Sequence, residues 1–443
     1  MKIQLSDHFT YKKIFRFTLP SVIMMVFTSI YGVVDGYFVS NYVGKTPFAA
    51  VNLIFPFIMV LASFGFMFGA GGSALVAKSL GQQQREKANM QFSLICYTSI
   101  VTGVILAVLG IVFIKPISIL LGAEGELIKH CVIYGSIILA ALPFFMLQFE
   151  FQSFFIAAEK PKLGLIVTLI SGITNMILDW LFIKELNFGL VGAACATALS
   201  QVVGGIIPLF YFSFKNTSLL RFRSTIFDAR TLVKTLTNGS SELMSNISMS
   251  LVCMLYNIQL MNYAGEDGIA AYGVLMYVNM IFLAVFIGYS VGTAPIISYH
   301  FGAKNHKELK SILQKSIVII SVCSVAMLIL AELLAKPLSL IFVSYDRGLL
   351  EITLRGFIIY SFSFLFAGFA IYGSSFFTAL NDGLTSALIS FLRTMVFQIV
   401  AVMLLPLIWG IDGIWLSIVV AELLAVVVNI IFVVAKRKKY RYW

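Results

Sequence analysis

Residues 41–50, Asn41-Tyr42-Val43-Gly44-Lys45-Thr46-Pro47-Phe48-Ala49-Ala50, return 221 positions later as Asn262-Tyr263-Ala264-Gly265-Glu266-Asp267-Gly268-Ile269-Ala270-Ala271. The same shift carries Gly71 onto Gly292, Gly81 onto Gly302, and Lys115-Pro116-x-Ser118 onto Lys336-Pro337-x-Ser339. It also carries Gly135 onto Gly356, Ser153-x-Phe155-x-x-Ala158 onto Ser374-x-Phe376-x-x-Ala379, and Gly189-x-x-Gly192 onto Gly410-x-x-Gly413, without a gap. In a chain that is 60% hydrophobic, such a duplication argues for a two-bundle membrane carrier with its path between the copies.

Only 12% of residues are charged and the mean hydropathy is +0.96, outside the range of soluble domains. Apolar runs long enough to cross ~30 Å of hydrocarbon as helices recur near 14–39, 47–77, 91–114, 128–157, 161–183 and 190–214. A second set lies near 235–262, 267–299, 311–335, 349–379, 384–406 and 411–435. The expected fold is an all-α membrane protein of about twelve transmembrane helices in two six-helix lobes. An even number of spans per copy leaves both copies in one orientation, related by a pseudo-two-fold axis along the membrane normal. Residues 1–214 form the first lobe, the polar stretch 215–234 a cytoplasmic linker, and 235–443 the second lobe with a basic tail.

With both termini cytoplasmic, 23 Lys and Arg fall on the inner side and seven on the outer, a positive-inside bias. That bias accounts for the net charge of +11 without nucleic acid as a partner. The first apolar run is too long for a cleaved signal peptide and recurs mid-chain. The five cysteines are scattered through apolar runs with no CxxC, and read as packing residues rather than ligands or disulfides.

A charge at bilayer depth costs on the order of 3 kcal/mol, so each embedded acid needs an account. Asp35 lies near the outer end of the first span, with Tyr31 one turn below it on the same face. Asp179 lies in the outer half of the fifth span with Asn175 at i−4, and Thr197 in the sixth reaches the depth of Asn175. At +221 these positions hold Tyr256 for Asp35, Val396 for Asn175, Val400 for Asp179 and Ile418 for Thr197, so the oxygen cluster belongs to one copy only. A scaffold role would recur in both copies, and a cation site need not. Two carboxylates close together in low dielectric cannot both ionise cheaply, which suits proton coupling. Bundle packing by hydrogen-bonded acids is the plainer alternative.

The second half carries Glu242 in its first span with Asn246 at i+4, either a second substrate- or ion-binding carboxylate or a hydrogen-bonded interfacial acid. Glu150, between Gln148 and Gln152, is ambiguous in the same way. Glu422 is the repeat partner of Gln201 and reads as a structural position, while Arg393 either snorkels or pairs with an acid. Met244, Met276 and Met280 belong to a methionine cluster that is either ordinary packing or a pliable wall for varied substrates. Pro20 permits a bend in the first span below Asp35, as a hinge or as static packing.

These residues resemble the bacterial multidrug and toxic compound extrusion (MATE) transporters. The resemblance rests on Thr18-Leu19-Pro20, Val34-Asp35, Ala77-Lys78-Ser79-Leu80-Gly81, Asn175-x-x-x-Asp179, Gly189-x-x-Gly192-Ala193-Ala194-x-Ala196-Thr197 and Gly410-x-x-Gly413-Ile414-Trp415. It implies twelve helices in two lobes and export driven by entry of H⁺ or Na⁺. It also implies a cation site, with Na⁺ as one occupant, at Asp35, Asn175, Asp179 and Thr197. The chain departs from the family pattern at Asp179-Trp180, where an Asp-Pro is usual, and lacks the tenth-span acid of some Na⁺-coupled members.

The expected function is therefore antiport at the bacterial cell membrane, exporting small amphipathic organic cations by alternating access, with no cofactor beyond the coupling ion. Membrane lipid is the surrounding partner, no protein partner is obligate and a monomer suffices. A flippase for a lipid-linked anionic headgroup is the rival, but its cavity should be rich in Arg and Lys. An enzyme is disfavoured, because none of the four histidines stands in a catalytic motif and no HExxH occurs.

Overall fold

A computed structural model of the protein describes residues 3–343 and 346–442, and these are mostly helical with no strand among them. The first half holds α1 (Tyr11–Phe38), α2 (Lys45–Gly81), α3 (Arg85–Leu120), α4 (Glu126–Ala140), α5 (Leu142–Ala157), α6 (Pro161–Asp179) and α7 (Gly189–Ser213). The second holds α8 (Ala229–Gly302), α9 (His306–Val343), α10 (Arg347–Ser361), α11 (Phe364–Ala379), α12 (Gly383–Phe391), α13 (Phe397–Leu404), α14 (Pro406–Trp409) and α15 (Ile411–Tyr440).

Nine helices among the described residues are long and apolar enough to cross a bilayer, and two bent pairs bring the number to eleven. The pairs are α4 with α5, bent by 55°, and α10 with α11, bent by 49°, each one interrupted span. At 1.5 Å per residue the 74-residue α8 would exceed ~100 Å, several bilayer thicknesses. It breaks at Gly265, whose φ of 64° and ψ of −149° only glycine adopts readily, and so supplies two spans. The total is the twelve expected from the repeat. Pro20 sits inside α1 without ending it.

The two lobes meet along α2 and α8. A Cβ on Gly81 would strike the carbonyl oxygen of Tyr299, and one on Gly302 that of Lys78. Each contact is the image of the other under the 221-residue shift, which is what a two-fold axis between the lobes requires. Gly71 approaches the backbone of Thr235 and Gly239 in the same way, and Gly288 that of Ser21 and Val22. Hydrogen bonds between the two lobes follow the same half: Asn238 Nδ2 to Gly71 O at 3.5 Å and Asn381 Nδ2, in the turn after α11, to Ala74 O at 3.4 Å. Of those among the described residues, the bond nearest the far side is Ser29 Oγ to Met280 O at 3.4 Å. Among the described residues, the closest backbone approaches between the lobes thus fall on the half that carries the termini.

The amino-terminal segment crosses this closed face. Leu5 and Phe9 are fully buried. Leu5 N donates to Glu159 Oε1 at 2.8 Å in the first lobe, and Phe9 N to Glu308 Oε1 at 2.8 Å in the second. His8 Nδ1 lies 2.7 Å from Glu308 Oε2, and Lys315 Nζ donates to Phe9 O at 2.6 Å. The connection between α7 and α8 lies against α3 through Arg221 N to Asn89 Oδ1 at 2.9 Å and Arg223 N to Ser93 Oγ at 2.8 Å.

Candidate functional site

Three helices of the first lobe, α1, α6 and α7, bring the sequence-predicted oxygens together. Asp179 ends α6 and is fully buried, with Asn175 one turn earlier 1% exposed. Asp35, near the end of α1, and Thr197 on α7 are half-buried. Thr197 Oγ1 donates to Asp35 Oδ1 at 3.3 Å, and Asn175 Nδ2 to Thr197 Oγ1 at 3.5 Å. The carboxyl of Asp179 neighbours that of Asp35, though the contact falls short of a well-formed hydrogen bond. Both Asp179 oxygens and Asn175 Oδ1 are buried with no partner, a costly arrangement unless a proton or cation is meant to be there.

Backbone geometry marks the same place. A π-helical turn, Val39–Val43, follows Asp35 directly after α1, and a second, Trp180–Glu185, follows Asp179. Such turns widen a helix locally and are frequent at functional sites. Trp180, where the family pattern has proline, lets α6 continue into this turn with its N–H intact.

Tyr31 lies within Coulombic reach of Asp35, as its position one turn below implied, and its hydroxyl reaches Gln148. Gln148 Nε2 in turn donates to Ser171 Oγ at 3.3 Å, and Ser171 Oγ to Ser200 O at 2.7 Å. Tyr134 on α4, 1% exposed, faces both aspartates and the Thr197 hydroxyl. Sequence reasoning missed it, although its repeat partner Arg355 carries the asymmetry that singled out the other four. The nest holds two carboxylates and neutral oxygens, and no group of three or more His, Cys, Asp or Glu suited to a metal occurs among the described residues. That donor set suits a proton or a hard monovalent cation rather than a transition metal.

The second lobe is built differently. Glu242 is half-buried on α8, and Asn246 donates to its backbone carbonyl at 2.9 Å, not to its carboxylate. Met244 and Met276 are half-buried and Met280 is exposed, so the methionines do not close around the acid. Arg393 does not snorkel: its Nε donates to Glu422 Oε2 at 2.8 Å and Oε1 at 3.0 Å, in a buried ion pair. Glu150 is fully buried beside Cys96 and Ser99, away from the aspartates' hydrogen bonds. The five cysteines are free.

One family model, MatE, matches the chain twice, over residues 20–181 and again over 243–404. The chain belongs to the MatE family. The multidrug export protein MepA of Staphylococcus haemolyticus (strain JCSC1435) is 28% identical over 364 residues, 81% of this chain and 80% of that protein. Among solved structures, a MATE protein in complex with MaL6 superposes with a TM-score of 0.93 at 22% identity, over 98% of both chains. An outward-facing MATE family multidrug resistance transporter of the MOP superfamily gives 0.92 at 23% identity, again over 98% of both. These structures share the twelve-helix, two-lobe fold. As a MatE family member the chain is a multi-pass membrane transporter rather than an enzyme, and it needs no cofactor.

Proposed function

We propose that this transporter expels amphipathic organic cations from the bacterial cytoplasm in exchange for H⁺ or Na⁺. Residues 1–214 and 235–443 act as rocking lobes, 215–234 joins them, and both termini lie in the cytoplasm. The observation that carries the reading is the nest of Asp35, Asn175, Asp179 and Thr197 in one lobe only, with buried carboxylate oxygens lacking any partner. The multidrug export role of the MepA relative supports the cargo, and the excess of basic residues on the terminus-bearing side supports the orientation. With that side cytoplasmic, the close glycine contacts support reading the structure as outward-facing.

Expelling one positive charge against ~100 mV costs about 2.3 kcal/mol, so ion entry must do the work. The coupling ion binds Asp35 and Asp179 from outside, neutralises the nest and favours the conformation of α1 that releases cargo. Pro20 lies where α1 can bend, since no N–H there holds the turn below. The lobes then rock about the α2–α8 contact, and the ion leaves inward before the next cargo binds. Coupling follows because ion and cargo favour opposite conformations. A lipid-phosphate cargo is disfavoured, because the guanidinium of Arg393 is already committed to Glu422. The test is ethidium export by reconstituted protein. Asp35→Asn and Asp179→Asn should each abolish gradient-driven export, and wild-type export by both would reject the site. A monomer is sufficient for this cycle.

A further inference from the structure

The second lobe holds three embedded charges at the junction of three helices. Arg393 sits in a π-helical turn, Leu392–Val396, between α12 and α13. That turn packs against both α8, which carries Glu242, and α15, which carries Glu422. Arg393 and Glu422 are 13% and 3% exposed, and the guanidinium Nε is shared by both oxygens of Glu422. Glu242 lies within Coulombic reach of the same guanidinium, but no described residue donates a hydrogen bond to its carboxylate. Two carboxylates thus flank one cation, and only one of them is paired.

The repeat argues against a scaffold role for this arrangement. Under the 221-residue shift, Arg393 corresponds to Gly172, Glu422 to Gln201 and Glu242 to Ser21. In the first lobe Gly172 leaves room for the rings of Phe27 and Tyr31, so the fold closes there without any charge. The charges in the second lobe are additions to a framework that packs without them. A buried ion pair is weak evidence for stability, since well-packed neutral residues often do as well, but removing one partner strands the other.

We propose that Glu422 is a specificity-determining counter-ion: by holding Arg393 it leaves Glu242 as an uncompensated negative charge for the positive group of the cargo. This deepens the reading of the cargo as an organic cation and rests on it. Glu422 never touches the cargo. Without it, Arg393 is left with Glu242 within Coulombic reach, and a guanidinium is the better partner for a carboxylate than a bulky, weakly hydrogen-bonding organic cation. The lobe would then carry no net charge toward the cargo.

The experiment compares four forms of the full chain in proteoliposomes: wild type, Glu422→Gln, Arg393→Gln and the double Arg393→Gln/Glu422→Gln. Each is assayed for binding and export of ethidium, a permanent cation, and of a zwitterionic fluoroquinolone, with thermal unfolding alongside. Glu422→Gln should weaken ethidium binding by about tenfold or more, the scale of one added charge at partly buried depth, and change the zwitterion by less than about threefold. The double variant, which removes Arg393 as well, should restore ethidium binding to near wild type, and Arg393→Gln should retain it. A merely structural pair predicts a different pattern: both single variants lose stability and both cargoes suffer alike, which would overturn the proposal. Ethidium binding unchanged in a folded Glu422→Gln would overturn it too. If Glu422→Gln does not fold, Glu422→Asp, which shortens the reach by one methylene, must show the same cation-selective loss in milder form. A wild type that binds the zwitterion but no cation would sink the cargo reading itself, a result distinct from failure of the counter-ion role.

Discussion

Replacing Asp179 by Asn removes one carboxylate from the nest while keeping its shape, and the size of the effect follows from where that carboxylate sits. Asp179 is fully buried, with both oxygens unpartnered, so its charge is poorly screened by solvent. A cation ~4 Å from a carboxylate at an effective dielectric near 20 gains about 4 kcal/mol. Losing that term weakens ion binding by roughly a thousandfold. The site then stays empty at ion concentrations that fill the wild type, so the gradient is uncoupled from export. Stability should move the other way, because a buried acid without partners is a liability in the fold. The assay is ethidium efflux from proteoliposomes under an imposed proton or sodium gradient, with thermal unfolding of the same preparation. The expected result is background efflux with an unfolding temperature at or above wild type. Efflux within twofold of wild type would refute the reasoning, and a protein that simply melts earlier would show that Asp179 holds the bundle together.

Further outcomes follow from the closed face and its flanks. Gly81→Val and Gly302→Val each push a side chain onto a carbonyl that cannot swing aside, at a cost of about 1–3 kcal/mol to the locked state alone. Cysteine labelling of residue 299 from the terminus-bearing side should therefore rise by roughly tenfold, while a packed variant labelled like wild type would dismiss the contact. Glu308→Gln leaves His8 and the Phe9 N–H without their anionic acceptor, a loss of about 1.5–3 kcal/mol read as a lower unfolding temperature. Asp382, in the connection between α11 and α12, is buried, which alone would raise its pKa. Bonds from Lys436, Tyr440 and Thr385 outweigh that and hold its carboxyl below the usual range. A depressed folded pKa contributes stability above the unfolded value near 4 that is lost as pH falls through the folded one. Unfolding temperature should thus drop below about pH 4. In Asp382→Asn this drop should be smaller, and identical acid profiles would reject the pairing.

The repeat made the fold legible because a duplicated sequence must bury duplicated faces. The glycines that recur, Gly81 with Gly302, are those the two-fold contact requires, and the break at Gly265 matches the repeated Gly44 between the first two spans. The sequence did not show that the run 128–157 is broken by a 55° bend, because Leu142-Pro143 interrupts an otherwise unbroken apolar stretch. For the site, i,i+4 spacing placed Asn175 beneath Asp179, and helical rise placed Thr197 level with Asn175. Tyr134 stayed hidden because a lone tyrosine in an apolar span is ordinary until a neighbouring helix aims it at a carboxylate. The partner of Arg393 was undecided in the sequence, and only the folded geometry, with Arg393 Nε 2.8 Å from Glu422 Oε2, gives Glu422 the bond. The crossing segment 3–10 was invisible too, since two apolar residues, Leu5 and Phe9, set no period.

The central claim is that the first-lobe nest trades an ion for cargo, and ion counterflow during export measures it most directly. Proteoliposomes loaded with a pH dye and ²²Na⁺ report which ion moves when ethidium is presented. The wild type should show ethidium-driven counterflow of H⁺ or Na⁺, absent from Asp35→Asn and Asp179→Asn that still bind ethidium. Ethidium movement with no ion counterflow, or counterflow untouched by either substitution, would contradict the account.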